Sequence, residues 1–543
     1  CAAVLDVQSG DIHTFDPTNI SDLPDCLNQY DVAIAHNGLL YDVPVVKRLL
    51  LKSNSRTAFK CKHHDTLVVS RLMYPDRKDH PFGSNSLEAW GNHLGCNKMD
   101  YDGGWEYFTE EMLVYCKQDV VVTHKIYEYQ KEFVKNNIKP IEFEHRVSGI
   151  LADQIAIGFG YDTEAGYKLE MELLTNKADV EDEMRTLFPE IVIKRFSEKT
   201  GKRLKDKVET FNPGSRKQIA ERFKTKYNWD APLTDNGNPK VDRDVLNTLE
   251  YPEAKRLVSY FDDVKLISQV QDWNTRASYK DINRGVGIIN GMINPQGTAT
   301  GRCTHSQPNV AQVSGDSRAR SLWVPTNPDY VMLGADLSGL ELRMLAHMMH
   351  PWDNGAYADV ILRGDIHTYN QQKGGLPTRS MAKNAIYGLI YGAGDSKLGK
   401  IIGGSLYDGK KFRNKLYREI PALEKLIDAI KVKVANSGCV TLPDGRDIPV
   451  RSEHAALNTL LQGAGAILSK AWMVVCDASL HKHGDWHQMA YVHDEIQSCC
   501  PQSKAEAYGK IMVDSARVAG EKLGIRMPID AEFTIGKSWA DTH

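Results

Sequence analysis

The sequence predicts a multidomain protein of mixed α/β and α+β class, with a layered α/β domain followed by a larger helix-rich unit on a β base. Three observations predict it. The chain has 543 residues, 42% of them hydrophobic, more than one compact core usually holds. Strand-like and helix-like patterns alternate up to about residue 75. From about residue 285, strand-like runs enclose a large helical insertion between about 350 and 450.

Taken in order, Val32-Ala33-Ile34-Ala35 reads as a buried strand. His36-Asn37-Gly38 turns it into a helix containing Val45, Val46, Leu49 and Leu50. That alternation predicts a partly parallel sheet. The region from about 105 to 135 reads as helix. From Glu142 the pattern is long and helical, as in Glu144 through Ile155, and helical, charged segments continue to about 275. A basic stretch and the turn at Asn212-Pro213-Gly214 interrupt them. No internal repeat and no low-complexity linker is present.

Composition narrows the class. Charged residues make up 25%, and net charge is −3. Such a balance does not announce a nucleic-acid binder, but a local basic groove is compatible with it. One stretch is clearly basic: Lys194, Arg195, Lys199, Lys202, Arg203, Lys205 and Lys207. It suits a solvated hairpin loop and a phosphate contact equally. No apolar run approaches the ~20 residues of a membrane span, and no signal peptide is visible. The first residue is Cys1, and a strand-like stretch follows at once, so the first domain is expected to lack its opening segment. The ten cysteines contain no CxxC pair, which argues against a zinc site and a disulfide framework. Reduced thiols fit a cytosolic protein. Cys61-Lys62-His63-His64 reads as a loop whose residues do not converge on a metal.

Three constellations carry chemistry. Tyr330 to Ala335 reads as a buried strand that delivers Asp336 at a domain edge, before a turn at Ser338-Gly339 and a helix from Leu340. Alone, Asp336 fits helix capping as the commoner role. Met489 to Cys499 reads as two strands flanking His493-Asp494-Glu495, which places the acidic residues at a hairpin turn. Bringing Asp494 beside Asp336 makes a like-charged pair that needs cations. Two Mg²⁺ ions ~3.5–4 Å apart, bridged by such carboxylates, drive phosphoryl transfer. Between these segments, Arg379, Lys383, Tyr387 and Tyr391 recur every fourth residue and share one drifting helix face. Thr378 is placed to cap that helix. Met381, Ala382, Ile386, Leu389 and Ile390 offer its packing surface. Two cations followed by two phenols suit a nucleoside triphosphate, and they equally suit an amphipathic helix with a solvated cationic face.

These blocks together resemble motifs A, B and C of family A DNA polymerases, the bacterial polymerase I class. The match is closest to the replicative polymerases of short-tailed T-odd bacteriophages. Asp336 to Arg343 resembles motif A, Arg379 to Gly392 motif B, and His493-Asp494-Glu495 motif C. Gly301-Arg302 with Gln307 to Gln312 resembles the primer-template segment, and His454 to Gln462 the helix that feels the minor groove. There, Asn458 and Gln462 would reach acceptors shared by all base pairs. Gly364-Asp365-Ile366-His367 resembles a phosphate-touching segment.

The resemblance implies a fold: an RNase H-like 3′–5′ exonuclease domain over residues 1–140, then a right-hand polymerase over 141–543. Its thumb would span about 145–280, its palm about 285–350 and 451–543, and its fingers about 351–450. It also implies roles. Asp336 and Asp494 hold two Mg²⁺ ions, with the Leu337 carbonyl assisting. Arg379, Lys383 and His367 bind the triphosphate, and Lys383 is a general acid for pyrophosphate. Tyr387 lies by the sugar and phosphates, and Tyr391 stacks near the template base. Glu341 with Tyr391 crowds a 2′-hydroxyl, so dNTPs are selected. His493 and Glu495 support the primer end and the metal site. Arg302, Asn309, Gln312, Asn458 and Gln462 contact primer-template DNA. A replisome partnership with a phage helicase-primase and a place in the cytoplasm of the infected bacterial host are implied likewise.

Two departures qualify the resemblance. Asn37 and Asp42 match the second exonuclease motif, and Tyr115 and Asp119 the third, but the opening Asp-x-Glu is absent. Proofreading by this chain is therefore expected to be weak or nil, and intact if the natural protein extends further. Between about 194 and 215 there is also no room for the insertion that binds host thioredoxin in phage relatives, so thioredoxin is not an expected partner. Competing readings are a single-subunit RNA polymerase relative, a catalytically silent DNA-binding protein, and a nuclease. Glu341 with His-Asp-Glu opposes the first. Intact Asp336, Lys383 and Asp494 oppose the second, and the missing exonuclease motif opposes the third.

Overall fold

The computed structural model describes residues 1–52, 60–76, 78, 80–234, 236–278 and 286–543. In the first region, strand Val32–Ala35 pairs in parallel with Lys62–Asp65. Ala2–Leu5 pairs antiparallel with Ile12–Phe15. The alternation predicts one partly parallel sheet. Instead these are two separate two-stranded sheets, because no described strand supplies the ladder bonds that would join their edges. The long helix Glu110–Asn136 packs against both. Cys61 to His64 is not a loop: residues 62–64 belong to the Lys62–Asp65 strand. Asp65 ends that strand and accepts the Leu67 and Val68 amides, capping helix Thr66–Met73. Among the described residues no group of three or more His, Cys, Asp or Glu side chains is arranged to hold a metal ion.

Asn137 closes helix Glu110–Asn136, and Ile138–Ile157 follows at once. The chain therefore breaks at Asn137, and the boundary expected at 140 falls inside a helix. Helices Thr163–Leu187 and Pro252–Arg276 pack along each other. Between them, the basic stretch forms a two-stranded hairpin, Ile191–Ile193 with Lys207–Glu209, closed further by a Phe196–Arg203 bridge. Its apolar residues Val192, Phe196 and Val208 are exposed along with its lysines.

The β base is a four-stranded antiparallel sheet in the order His487–Val492, Glu495–Pro501, Tyr330–Leu337, Ala531–Gly536. Its register sets Asp336 opposite Glu495 on one side and Glu532 on the other. Met332, Leu333 and Ala335 are buried, which is why the strand reads as a continuous apolar run. Helices Ala456–Leu480 and Gln502–Lys522 pack against each other beside the sheet. Against expectation, the stretch Glu453–His483 is long and apolar enough for a membrane span, with a mean hydropathy of 1.3. However, 78% of that window is buried inside the protein, so the helix takes its apolar surface to the core.

The helical insertion runs from Leu340–Asp353 through Ile366–Gly374 and Arg379–Ile390 to Pro421–Ser437. The boundary expected at 350 lies within its first helix. Leu345, Ile386, Leu461, Trp472 and Met512 belong to one continuous core, so the insertion and the base are packed as a unit. Leu461 is fully buried there, and truncating it to Ala costs about 2–5 kcal/mol. A buried charge cluster ties a third element to that core. The Lys470 ammonium lies 2.9 and 3.0 Å from the Glu144 carboxylate oxygens, and Arg446 donates to Glu144 at 2.7 Å.

Candidate active site

The site forms where the central strand stops. Asp336 is the next-to-last residue of Tyr330–Leu337, and the Leu337 amide donates to the Asp494 carbonyl at 3.0 Å. Gly339, at φ +59°, turns the chain into Leu340–Asp353 with no side-chain cap. Asp336 is thus no helix cap. Asp494 lies in the two-residue turn between strands His487–Val492 and Glu495–Pro501. His493 before it holds φ +59°, a conformation uncommon for a residue with a Cβ. Support comes from beneath: the Tyr491 hydroxyl donates to Ser469 Oγ at 2.9 Å, and His305 Nε2 lies 2.9 Å from the Tyr491 carbonyl.

The carboxylates crowd one another. Burial, then Asp494 and Glu495, push Asp336 up to about 7. Burial, then Glu341, push Asp494 up to about 6. Glu495 differs. Burial would raise it too, but donors outweigh burial and hold its carboxyl below the usual range. Gln497 Nε2 and Trp539 Nε1 each donate to Oε1 at 2.7 Å, and His543 Nδ1 lies 2.8 Å from Oε2. Glu341 forms an ion pair with Arg302 at 3.6 Å.

Helix Arg379–Ile390 supplies the opposite wall. Thr378 Oγ1 accepts the Met381 amide at 3.2 Å, as a capping residue should. Ala382, Ala385, Ile386, Leu389 and Ile390 are buried, while Arg379, Lys383 and Tyr391 are exposed on the other face. The rings of Tyr387 and Tyr391 stack with centroids 6.2 Å apart, and Tyr387 lies 6.3 Å from the His367 ring. Burial first and the negative Glu341 next push both phenols up, as befits phenols near that carboxylate. At its start, Arg379 donates to both oxygens of Asp365, at 2.6 and 3.1 Å. His367 is pulled down by burial and then by Arg379 and Lys383, and its buried Nδ1 has no hydrogen-bond partner. A cationic end and a phenolic end therefore lie along one face, with Glu341 and Asp494 near enough to the phenols to raise both.

The structure brings together Asp336, Asp494, Glu495, Glu341, Arg302, His493, Tyr387 and Tyr391, and groups His367, Arg379 and Lys383 beside them. Asn309 and Gln312 lie on the turn beyond Arg302, where the Gln312 carbonyl accepts from Gln269 at 2.8 Å. Asn458 and Gln462 sit at the start of Ala456–Leu480, and Asn458 Oδ1 is buried without a partner. The remaining residues stand apart. Asp42 opens helix Asp42–Lys52, and burial pushes it up to about 6. Tyr115 and Asp119 lie on Glu110–Asn136, where Lys98 reaches Asp119 at 3.5 Å and covers the Tyr115 ring at 4.5 Å. Asn37 holds φ +68° and donates its amide to Asp65 at 2.9 Å.

Sequence reasoning missed Ser469, Tyr491, His305, Asp365, Trp539 and His543. Only Asp365 had a local signal, as a carboxylate at a helix start beside His367. The others act across sequence separations that no spacing reveals.

The DNA polymerase family A profile matches residues 190–541. The DNA-directed DNA polymerases of Enterobacteria phage T3 and Escherichia phage T7 are each 31% identical, over 100% of this chain and 97% of theirs. DNA polymerase I of Aquifex aeolicus (strain VF5) is 25% identical over 98% of this chain and 93% of its own. The POL domain of Pol1 from M. smegmatis, solved in complex with DNA primer-template and dNTP, shares the fold. Its TM-score is 0.78 at 18% identity, covering 98% of this chain and 92% of that one.

Proposed function

Because the chain belongs to DNA polymerase family A, we propose that Asp336 and Asp494 are the reaction centre at which it extends a primer. It is a DNA-directed DNA polymerase close to the phage replicative enzymes, and neither an RNA polymerase relative nor a silent DNA-binding protein. The observation that carries the assignment is the carboxylate cluster on adjoining strand ends, walled by a helix face with cations at one end and phenols at the other.

Members of the family use divalent metal ions. The residues fit Mg²⁺: two hard-oxygen carboxylates are crowded enough to rise to about 7 and about 6, and Leu337 follows Asp336 in the strand. Two Mg²⁺ ions bound by Asp336, Asp494 and the Leu337 carbonyl would activate the primer 3′-hydroxyl and stabilise the leaving pyrophosphate. The chain's own groups do the rest. Arg379, Lys383 and His367 hold the triphosphate, with Arg379 exchanging its Asp365 partner for phosphate oxygens. Lys383 Nζ delivers a proton to the pyrophosphate. Tyr387 flanks the sugar, and Glu341 with Tyr391 excludes a 2′-hydroxyl. Arg302, Asn309, Gln312, Asn458, Gln462 and His493 contact primer-template DNA.

In this reading residues 1–140 form an exonuclease-like domain, its edge moved to the helix break at Asn137, and thumb, palm and fingers make up the rest, the fingers beginning after Asp353. Proofreading is weak. Lys98 pairs with Asp119, which competes with a metal ion for that carboxylate. The alignment with the phage T3 enzyme spans 689 positions against 543 residues here, so that relative carries segments without counterpart in this chain. The short 191–209 hairpin contacts DNA itself, and thioredoxin is not a partner. A helicase-primase is its replisome partner in the cytoplasm of the infected host.

Primer extension with dNTPs or rNTPs, alongside Asp336→Ala, tests the assignment. Extension that persists in the mutant refutes the metal site, and a preference for rNTPs refutes the sugar gate. A 5′-labelled primer that shortens without dNTPs refutes the loss of proofreading. A sharp lengthening of products by thioredoxin refutes the reading of the hairpin.

A further inference from the structure

Both oxygens of the Glu495 carboxylate are held by the protein, and two of its three holders come from residues 537–543. Trp539 Nε1 donates to Oε1 and His543 Nδ1 faces Oε2. This segment is itself clamped. The Trp539 amide donates to the Trp323 carbonyl at 2.9 Å, and the Trp539 ring packs against Phe159 and Trp323. Asp541 Oδ2 accepts the Lys537 and Ser538 amides at 2.8 and 2.9 Å, closing the turn. Thr542 Oγ1 donates to Gln497 Oε1 at 2.7 Å, while Gln497 Nε2 donates to Glu495.

The clamp reaches the Asp336 strand as well. A Cβ on Gly334, two residues before Asp336, would meet both the Gln497 Nε2 and the Thr542 carbonyl, at 2.4 and 2.5 Å. Backbone therefore rests directly on the strand that presents the reaction centre, and only glycine permits it. The donors on Glu495 fix where its carboxylate points relative to Asp336, the residue paired across from it.

We propose that residues 539–543 form a positioning strap for the carboxylate cluster, and that His543 is a positioning residue acting through Glu495. The strap holds the Glu495 carboxylate in one orientation, so that it is presented to Asp336 and Asp494 without reorganising in each cycle. This rests on the assignment of those two aspartates as the metal-holding pair. Groups that orient a metal site's carboxylates from behind typically account for about 10–100-fold in metal affinity or activity.

The test is single-turnover primer extension by the full chain with Mg²⁺ titration, comparing His543→Ala, His543→Asn, His543→Gln and Gly334→Ala with Asp336→Ala. An asparagine amide can occupy the Nδ1 position, whereas a glutamine amide lies where Nε2 was. The expected result is that His543→Ala lowers the extension rate about 10–100-fold and raises the Mg²⁺ requirement, with dNTP KM and primer-template affinity within about twofold of wild type. His543→Asn recovers most of the rate and His543→Gln much less. Gly334→Ala, which displaces both Thr542 and the Gln497 amide that holds Glu495, lowers the rate at least as far as His543→Ala without removing any site side chain. A wild-type rate and Mg²⁺ profile in His543→Ala overturns the proposal. So does a loss shared equally by rate, DNA affinity and melting temperature that asparagine does not rescue, because that marks a merely structural contact. Activity surviving in Asp336→Ala instead sinks the metal-site assignment itself, whatever the His543 variants do.

Discussion

Ser469 Oγ donates a 2.6 Å hydrogen bond to the carbonyl of His493, the residue that holds φ +59° immediately before Asp494. A left-handed non-glycine residue costs of order 1–3 kcal/mol and persists only where its surroundings enforce it. Ser469 is that enforcement, from the middle of helix Ala456–Leu480. Ser469→Ala is expected to lower stability by about 1 kcal/mol, the net worth of one hydrogen bond. It is also expected to slow single-turnover extension more than it weakens dNTP binding. Denaturant melts with pre-steady-state kinetics check this, and an unchanged rate would show that the turn holds itself.

Asp336 and Asp494 repel each other when no cation is bound. Asp336→Asn is therefore expected to do two opposite things. Extension falls roughly 1000-fold, because several kcal/mol of charge stabilisation is removed and each 1.36 kcal/mol is tenfold. In chelator, the melting temperature rises by about 1 °C as about 1 kcal/mol of repulsion is relieved. A variant that melts below wild type in chelator would contradict the crowding.

Glu144 predicts a pH dependence. Burial would raise its carboxyl, but Lys470 and Arg446 outweigh burial and hold it below the usual 4.5. A depressed folded-state value means the stabilisation is present above about pH 4.5 and is lost as pH falls through that lower value. Glu144→Gln strands Lys470 and should cost about 3–5 kcal/mol near neutrality. The gap to wild type should narrow below pH 4.5, since only wild type loses a charge there. Urea melts across pH 3.5–8 read this directly, and a gap that widens in acid refutes it.

The proposed sugar gate of Glu341 and Tyr391 makes a specificity prediction. Glu341→Ala is expected to reduce discrimination against rNTPs by about 10–200-fold, the span of one steric exclusion worth 1–3 kcal/mol. The ratio of kcat/KM for matched dNTP and rNTP pairs is the measurement. Loss of dNTP incorporation without any gain for rNTPs would assign Glu341 to a different task.

The exposed hairpin makes an electrostatic prediction. Lys194, Arg195, Lys202 and Lys205 all lie exposed on it. Changing all four to Ala should flatten the dependence of log affinity for primer-template on log salt, by about 0.9 for each phosphate that the variant no longer neutralises. Fluorescence titrations at several salt concentrations give the slope, and an unaltered slope means the hairpin faces away from DNA.

The sequence by itself determined the local patterns from which the candidate site is built. Strand-then-aspartate at Asp336, His-Asp-Glu between two apolar strands, and a four-residue cation-phenol repeat from Arg379 to Tyr391 are local patterns. Local patterns survive in one dimension because strands repeat every two residues and helices every 3.6. The Thr378 cap and the hairpin turn at Asp494 are legible for the same reason. Tertiary structure alone decided how these patterns are aimed. The antiparallel register that sets Asp336 against Glu495 joins residues 159 positions apart. The support of His493 by Ser469, of Glu495 by Trp539 and His543, and of Lys470 by Glu144 spans 24 to 326 positions. Such pairings follow from packing of buried surfaces, which has no period along the chain. The two sheets of the first domain fail to join for a related reason: edge strands pair only when a partner's backbone lies alongside, and that is a property of space rather than of order in the sequence.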